Sequence, residues 1–525
     1  MLNSFRHNDS YIIPLICNTQ HCDSQGGLFK LAVPLPLGLA PSLSHLCLQS
    51  ADSKIDCNAQ ITSCWHDGSI KWLTLDFFAT KHKNSYSLVI NIDDTPANNI
   101  NQGITTDLKN NVIKLNANNS IFSFDLTSSH FKWACKKTDG EINKGYLALL
   151  AQQDDLFETR VTTHKCESFY NLTDGTVQKL ALHVSLQHHN QSTDTLLNST
   201  LIFTLYNAQN VLSIEHNLHN PKAAKHPNGH WDLGDENSIQ FRSLGLVFEL
   251  LTINSIALKK HQNDEWHEVT DGAFNLHQFS SGGEAWQSLV HVDQNNIVTL
   301  NQQGARLSSS NQPITSVTRA QPNVRVNAEL NLTMEQFWQN FPKKLSVGDN
   351  KIEFEYFPAS EQLHELQAGE SKTHTLWLAH NVEQEALNWV HQPHRLSVPN
   401  AWLELANICQ FGFNVNNSDR LAPIIQAAIN GSDSFFVKRE KVDEYGWRNF
   451  GDLYADHETA YYSGEDLFVS HYNNQYDPIF GFLKQYLISG ETAWFGLADD
   501  LAKHVKNIDI YQTTEDKAEY NGGLF

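Results

Sequence analysis

The segment Leu196-Leu-Asn-Ser-Thr-Leu-Ile-Phe-Thr-Leu205, followed by Val211-Leu-Ser-Ile-Glu-His-Asn-Leu218, decides the fold class of this chain. Both runs are short and largely apolar, and a polar stretch with two asparagines separates them. This pattern is typical of neighbouring β-strands joined by a turn. Similar runs recur at residues 29–33, 70–78, 86–92, 121–126, 244–251 and 373–378. They indicate β-sandwiches or barrels up to about residue 390.

The pattern changes after Val398-Pro399. Apolar residues then recur at helical spacing in 423–429 and 496–504. The fold class predicted is therefore multidomain β plus α. The predicted boundaries are a first β domain at 8–97, a second at 104–390 and a helical domain at 396–525, with the asparagine-rich stretch 97–103 as the first linker.

Composition excludes two classes of protein. The 525 residues include 37 Lys and Arg against 58 Asp and Glu, a net charge of −21, with no basic stripe that could follow a nucleic-acid backbone. No run approaches the roughly 18–20 apolar residues that a membrane-spanning helix needs. The N-terminus carries no basic, apolar and cleavage-site pattern of a signal peptide, so a cytoplasmic location is predicted.

Aromatic residues are concentrated near the C-terminus. Residues 445–525 contain 17 Phe, Trp or Tyr among 81 positions, interleaved with amides, carboxylates, histidines and Arg448. Aromatic rings stack on the C–H faces of sugars, and polar groups fix the hydroxyls. The segment therefore favours a carbohydrate site.

Several motifs carry a resemblance to one family. They are Trp65-His-Asp-Gly-Ser-Ile-Lys-Trp-Leu73, His230-Trp-Asp-Leu-Gly-Asp235, Ser280-Ser-Gly-Gly-Glu-Ala-Trp286, Tyr445-Gly-Trp-Arg-Asn-Phe-Gly-Asp-Leu-Tyr-Ala-Asp-His-Glu458, His471-Tyr-Asn-Asn-Gln-Tyr-Asp477 and Tyr520-Asn-Gly-Gly-Leu-Phe525. Together they resemble the exo-rhamnogalacturonan lyase-like (YetA-like) family. The resemblance implies an N-terminal RIFT-type β-barrel, a central antiparallel β-sandwich and the start of a C-terminal α/α toroid. It also implies a polysaccharide lyase that cleaves a uronic-acid-containing polymer, such as rhamnogalacturonan or ulvan, by β-elimination.

Such a lyase must neutralise the substrate carboxylate, remove the C5 proton and protonate the leaving oxygen. Arg448 with Asn449 could bind the carboxylate, and a His or Tyr could move the protons. Which residue is base and which is acid stays open. The predicted catalytic residues are Arg448, Asn449, His457, His471, Tyr472 and Tyr520.

Substrate contacts are predicted in the same segment and in the β region. Glu284 and Trp286 could supply a cleft wall, since sites often form where domains meet. The predicted substrate contacts are Trp447, Asp452, Tyr454, Asn473, Asn474, Tyr476, Asn521, His230, Trp231, Glu284 and Trp286. The predicted partner is an acidic polysaccharide or oligosaccharide, with no nucleic acid and no membrane.

Two other functions stay open. An inverting glycoside hydrolase could use Asp452 and Glu458 as its two carboxylates. A noncatalytic fragment could bind carbohydrate without cleaving it. No cofactor is required by the sequence, although the acids around His230 and Asp235 could bind Ca²⁺, at a spacing unlike that of an EF-hand.

Overall fold

The computed structural model describes most of the chain. The described residues are 4–17, 26–51, 53–79, 85–91, 104–117, 120–127, 131–137, 142–150, 157–190, 193–226, 233–270, 272–309, 312–380, 387–408, 420–454, 463 and 476–524. No α-helix occurs before residue 400 in these ranges, and no helix found in them is long and apolar enough to cross a membrane.

The N-terminal part is built of short strands. They are β1 Arg6–His7, β2 Ser10–Cys17, β3 Gly27–Pro34, β4 Leu46–Ser50, β5 Ser53–Lys54, β6 Asn58–Cys64, β7 Ile70–Ala79 and β8 Tyr86–Asn91. β3, β7 and β6 pair antiparallel, and so do β2, β8 and β4. In β3 the buried Phe29, Leu31 and Val33 alternate with the exposed Lys30 and Ala32, as expected for a strand that faces a core on one side.

The next nine strands include the longest in the molecule as described. They are β9 Thr105–Lys109, β10 Val112–Ala117, β11 Ser120–Asp125, β12 Lys132–Lys137, β13 Ile142–Leu150, β14 Glu158–Asn171, β15 Val177–Asn190, β16 Thr193–Tyr206 and β17 Val211–His219. β14 to β17 form an antiparallel meander, and β14 also pairs with β6. The first large sheet therefore continues into the N-terminal part.

Fourteen further strands complete the β region. They are β18 Ile239–Phe241, β19 Ser243–Leu250, β20 Ile256–Lys259, β21 His267–Glu268, β22 Phe274–Gln278, β23 Ala305–Ser309, β24 Gln312–Val317, β25 Asn323–Val326, β26 Leu330–Met334, β27 Lys343–Gly348, β28 Lys351–Phe357, β29 His364–Leu366, β30 Ser371–His380 and β31 His394–Ser397. β30 lies between β17 and β26 in the first large sheet. The second large sheet has the antiparallel order β24-β23-β22-β27-β28-β19-β13-β12-β11-β10-β9.

The main hydrophobic core lies between the two large sheets. Phe124 from the second sheet packs against Phe203 from the first, with ring centroids 4.8 Å apart. Because side chains alternate along a strand, the opposite face of β15, β16, β17 and β30 points away from this core. That outer face forms the floor of the site described below.

β31 joins the N-terminal strands although it lies more than 360 residues after β3. It pairs parallel with β3 and antiparallel with β2. The segment that follows it places Trp402 in the N-terminal core, where the indole is fully buried. The indole Nε1 donates a hydrogen bond to the Pro34 carbonyl at 2.8 Å. The N-terminal core is thus completed by residues from the end of the β region.

Helices follow the last strand. They are α1 Asn400–Ala406, α2 Ala422–Asn430, α3 Phe435–Val442, α4 Pro478–Ser489 and α5 Thr492–His504. Ser434 caps α3 by accepting a hydrogen bond from the Val437 amide at 3.4 Å, and α4 ends at Gly490 with φ of +72°. Phe482 of α4 stacks on Trp494 of α5 with centroids 5.7 Å apart, in a small core of their own.

The predicted class, a β region followed by helices, is confirmed. The finer architecture is not. Among the described strands no pairing closes the N-terminal part into a barrel, and five described helices do not make a toroid, so both stay predictions. The predicted domain boundaries also stay a prediction, and the pairs β6–β14 and β3–β31 run across them.

Candidate functional site

A large cleft lies on one side of the first large sheet. Its volume is about 1320 Å³, above the range of roughly 300–1000 Å³ that is common for ligand pockets. It is bounded by the outer face of β15, β16, β17 and β30, by β3, by the segment 389–395 and by α5. Three parts of the fold therefore meet around it.

Two glutamates face each other across one strand on the cleft floor. Glu215 of β17 lies opposite Thr375 of β30 in the strand register. On the other side of β30, the Glu335 amide donates a hydrogen bond to the Thr375 carbonyl at 3.0 Å. Glu215, Thr375 and Glu335 all line the cleft and are half-buried. They form one row across three adjacent strands.

The two carboxylates have different surroundings. Glu335 Oε1 accepts a hydrogen bond from Trp377 Nε1 at 2.8 Å, which fixes its direction. Trp377 lies next to Trp389, with ring centroids 4.8 Å apart, and both rings are almost fully buried in the floor. The Glu215 carboxylate has no ion pair or hydrogen bond among the described residues. It is available to a ligand.

Aromatic side chains form the walls, among them the half-buried Trp338 and the buried Tyr445. Trp338 packs against Tyr445, with ring centroids 4.8 Å apart, and the Arg319 guanidinium lies 4.1 Å from the Trp338 ring centroid. Burial and a hydrogen bond to Glu440 raise the pKa of Tyr445 above its usual range, so this hydroxyl stays neutral. On the α5 side, Arg395 lies over the Phe495 ring at 4.3 Å.

Ion pairs surround the floor. Lys179 pairs with Asp76, and Lys503 pairs with Asp499 at 3.1 Å. Arg439 pairs with Asp500 at 3.0 Å. Burial raises the pKa of Asp500, although the Arg439 guanidinium opposes this. These ion pairs stabilise the cleft, and few of the charged side chains around it lack a partner of opposite charge.

Arg448, predicted to bind a substrate carboxylate, contacts a protein carboxylate instead. Its Nε donates to Glu370 Oε1 at 2.8 Å and its Nη2 to Glu370 Oε2 at 3.1 Å. A third bond reaches the Glu365 carbonyl at 2.7 Å. Burial lowers the pKa of Arg448, but Glu370 outweighs this and raises it overall. Arg448 does not line the cleft.

The other described residues of the predicted C-terminal site are spread over several contacts. Asn449 donates to the Val290 carbonyl at 3.0 Å, and Trp447 packs on Phe357. Asp452 is buried, with its carboxylate 3.6 Å from the His504 imidazole. Tyr454 is half-buried, and burial raises its pKa.

The remaining described residues of the predicted site are also separate from the cleft lining. Tyr476 is exposed, and Glu284 is exposed near the half-buried Trp286. Asn521 bonds to the backbone of Asp516 within a turn, and Tyr520 lies edge-on to His226 at 6.0 Å.

Some predicted residues lie outside the described part of the chain. They are His230, Trp231, His457, Glu458, His471, Tyr472, Asn473 and Asn474. The site roles of all these residues stay predictions. Within the described residues, no group of three or more His, Cys, Asp or Glu could hold a metal, and Ca²⁺ binding near His230 likewise stays a prediction.

The sequence analysis missed Glu215 and Glu335. A signal was present, because Ser213, Glu215 and Asn217 alternate with apolar residues in a predicted strand. Alternation of this kind gives a polar face, and in this fold that face is covered by other parts of the chain rather than by bulk solvent. A polar sheet face that is shielded from bulk solvent in this way is a common place for a ligand site.

Comparisons with known proteins give no family assignment. No family model matches the chain, and no curated protein matches it. An α-mannosidase from Enterococcus faecalis is similar over 76% of this chain and 47% of its own, with 10% identity and a TM-score of 0.37. The GH36 α-galactosidase AgaA from Geobacillus stearothermophilus is similar over 51% of this chain and 40% of its own, with 10% identity and a TM-score of 0.28. The chain spans less than half the length of either protein.

These comparisons correct one expectation. Four solved structures to which the chain is similar are glycoside hydrolases and not rhamnogalacturonan lyases, and no family model matches. The prediction of membership in the exo-rhamnogalacturonan lyase-like family, with its lyase activity, is therefore wrong.

Proposed function

We propose that the protein is a glycoside hydrolase that binds an oligosaccharide or polysaccharide in the cleft and uses Glu215 and Glu335 as its pair of carboxyl groups. The observation that carries the proposal is their position on the same face of the sheet, with only Thr375 between them. Each projects into a cleft large enough for several sugar rings.

The strand geometry suits an inverting reaction. Neighbouring strands lie about 4.8 Å apart, so backbones two strands apart are separated by roughly 10 Å. Carboxyl groups about 6.5–9.5 Å apart leave room for the sugar and for the attacking water, which is the arrangement of inverting hydrolases. One carboxyl group protonates the leaving oxygen, and the other takes a proton from the water that attacks the opposite face.

The cleft walls suit a sugar ring. Trp338 and Phe495 offer half-buried aromatic surface, and Gln336, Gln339 and Gln392 add amide donors and acceptors. Aromatic surface combined with a few directed polar groups is the usual composition of carbohydrate sites.

The test is incubation with a panel of neutral and acidic oligosaccharides, in which hydrolysis is measured as the release of reducing ends. Glu215→Gln and Glu335→Gln should each lower kcat by about 10²–10⁴, the range for loss of one acid or base. NMR of the fresh product should show the inverted anomer. Glu265→Gln, at an exposed position outside the cleft, is the matched control and should keep full activity.

Two outcomes would overturn the proposal. Full activity in both glutamate variants would place the reaction elsewhere. Tight binding of the oligosaccharides, with no product from any member of the panel, would make the protein a carbohydrate-binding module rather than an enzyme.

A further inference from the structure

The charges that line the cleft divide into paired and unpaired groups. Of the five lysines and arginines in the described lining, four are ion-paired: Lys179 with Asp76, Arg395 and Lys503 with Asp499, and Arg439 with Asp500. Lys30 is the remaining cation, and its ammonium has no ion pair within the described ranges. Arg395 and Lys503 share the one carboxylate of Asp499, so that cluster keeps a net positive charge of one.

The carboxylates around the cleft outnumber the cations by two. Six Asp and Glu side chains line it against five Lys and Arg side chains, and Asp76 lies beside Lys179. Glu215 and Glu335 have no Lys or Arg partner among the described residues, and Glu167 is held by Gln60 at 2.9 Å and by His183 at 3.5 Å. Glu491 also lines the cleft without a cation partner in the described part. The whole chain carries a net charge of −21. A uronate or sulfate group in the cleft would therefore face excess negative charge, which costs binding energy when water is excluded.

Lys30 projects from β3 towards the Glu335 end of the floor. Its Nζ lies 5.7 Å from the centroid of the Trp377 ring, whose indole nitrogen holds the Glu335 carboxylate. Burial lowers the pKa of Lys30, while Glu335 and Asp76 oppose this change. An ammonium group has three donors and no acceptor, so it can bond to sugar hydroxyls from the side opposite to the carboxylates.

We infer that the substrate is an uncharged oligosaccharide, and that the Lys30 ammonium binds its hydroxyls and positions the sugar ring beside Glu335. This inference rests on the proposed function for the reaction but concerns binding alone. It assigns a substrate contact to the N-terminal strands, which would otherwise serve only as a scaffold.

Binding is measured by calorimetry on the wild-type protein with thio-linked, non-hydrolysable oligosaccharides, so that turnover does not interfere and Glu215 and Glu335 keep their charges. The probes are the neutral thio-linked compounds and the same compounds oxidised at C6 to uronates. The neutral compound should bind at least about tenfold more tightly than its oxidised form. Tighter binding of the uronate would overturn the inference.

Substitutions then test Lys30 itself. Lys30→Met should raise KM for the neutral substrate about tenfold or more with kcat changed less than threefold, and Lys30→Arg should restore part of the loss. Lys71→Met is the matched control, since Lys71 also lies over a tryptophan ring, Trp65 at 4.6 Å, but outside the cleft lining. Its KM should equal that of the wild type, and thermal melting should show that each variant is folded.

A failure of this inference can be told apart from a failure of the proposed function. If Lys30→Met leaves KM and Kd unchanged while the glutamate variants lose activity, the role of Lys30 is wrong and the hydrolase assignment stands. If the glutamate variants keep their activity but Lys30→Met weakens binding, the assignment of Glu215 and Glu335 as the catalytic carboxyl groups is wrong and the binding site stands.

Discussion

Arg448 and Glu370 show how one residue pair supports the region beside the cleft. The Glu370 carboxylate is only 4% exposed and accepts two hydrogen bonds from the Arg448 guanidinium. Removing one partner of a buried ion pair leaves the other charge uncompensated. Arg448→Ala should therefore lower the free energy of unfolding by about 3–5 kcal/mol, measured by urea denaturation.

The control is an exposed pair in the helical part. Lys441→Ala removes a partner of Asp433, at 2.9 Å, and should change the free energy of unfolding by less than about 1 kcal/mol. Equal changes in the free energy of unfolding from the two substitutions would show that the Arg448–Glu370 pair stabilises the fold no more than an exposed pair.

The sequence analysis predicted that Arg448 binds the carboxylate of a substrate, and that role stays a prediction. In the structure its guanidinium bonds to a carboxylate of the protein itself. Its carboxylate is Glu370, 78 residues earlier in the chain, and no local pattern predicts that contact. The same limit applies to Glu215 and Glu335, which only the strand register brings into one row.

At the scale of elements, β31 and α1 support the N-terminal strands from a distant part of the chain. The Trp402 indole is fully buried, bonds to the Pro34 carbonyl and lies edge-on to Phe5 at 5.2 Å. Trp402→Ala should lower the free energy of unfolding by about 3–5 kcal/mol, because it leaves a large cavity. Hydrogen exchange should show the lost protection first in the β2 and β3 amides.

A matched substitution of an exposed aromatic residue checks this prediction. Tyr476→Ala, at a position that is 66% exposed, should leave the same amides protected. Loss of protection in the helices rather than in β2 and β3 would contradict the assignment of Trp402 to the N-terminal core.

Strands with a clear alternation were predictable, and their partners were not. The predicted runs 70–78, 211–218 and 373–378 lie within β7, β17 and β30, because a strand with one buried face imposes a period of two. Pairing between two strands that lie hundreds of residues apart leaves no periodic pattern in the sequence. The parallel contact of β3 with β31 was therefore outside the reach of pattern analysis.

At the scale of the whole molecule, buried histidines couple stability to pH. His188 and His216 are fully buried and share hydrogen bonds with the Ser199 hydroxyl at 2.8 and 3.0 Å. Burial lowers the pKa of each to about 3, from an ordinary value of 6.5. The unfolded chain therefore binds protons that the folded chain does not, once the pH falls below about 6.5.

The free energy of unfolding should accordingly be highest above pH 6.5 and should fall as the pH decreases towards 3. Each such histidine contributes up to about 1.4 kcal/mol per pH unit over that range. His188→Gln keeps a polar group between Thr159 and Ser199 but cannot titrate, so the slope should be smaller. The exposed substitution His66→Gln should leave the slope unchanged, and an equal change in both would contradict the prediction.

The parallel contact between β3 and β31 also governs how this chain can be synthesised. The first strands leave the ribosome early, but their edge and their buried tryptophan arrive only with residues 394–402. Until then the strands from β9 to β30 must fold beside N-terminal strands that still lack β31 and Trp402. Contacts between residues so far apart in the sequence form slowly. Until they form, the unpaired strand edge can pair with strands of other chains. Nascent chains halted before residue 394 should therefore depend on chaperones far more than chains released after residue 403.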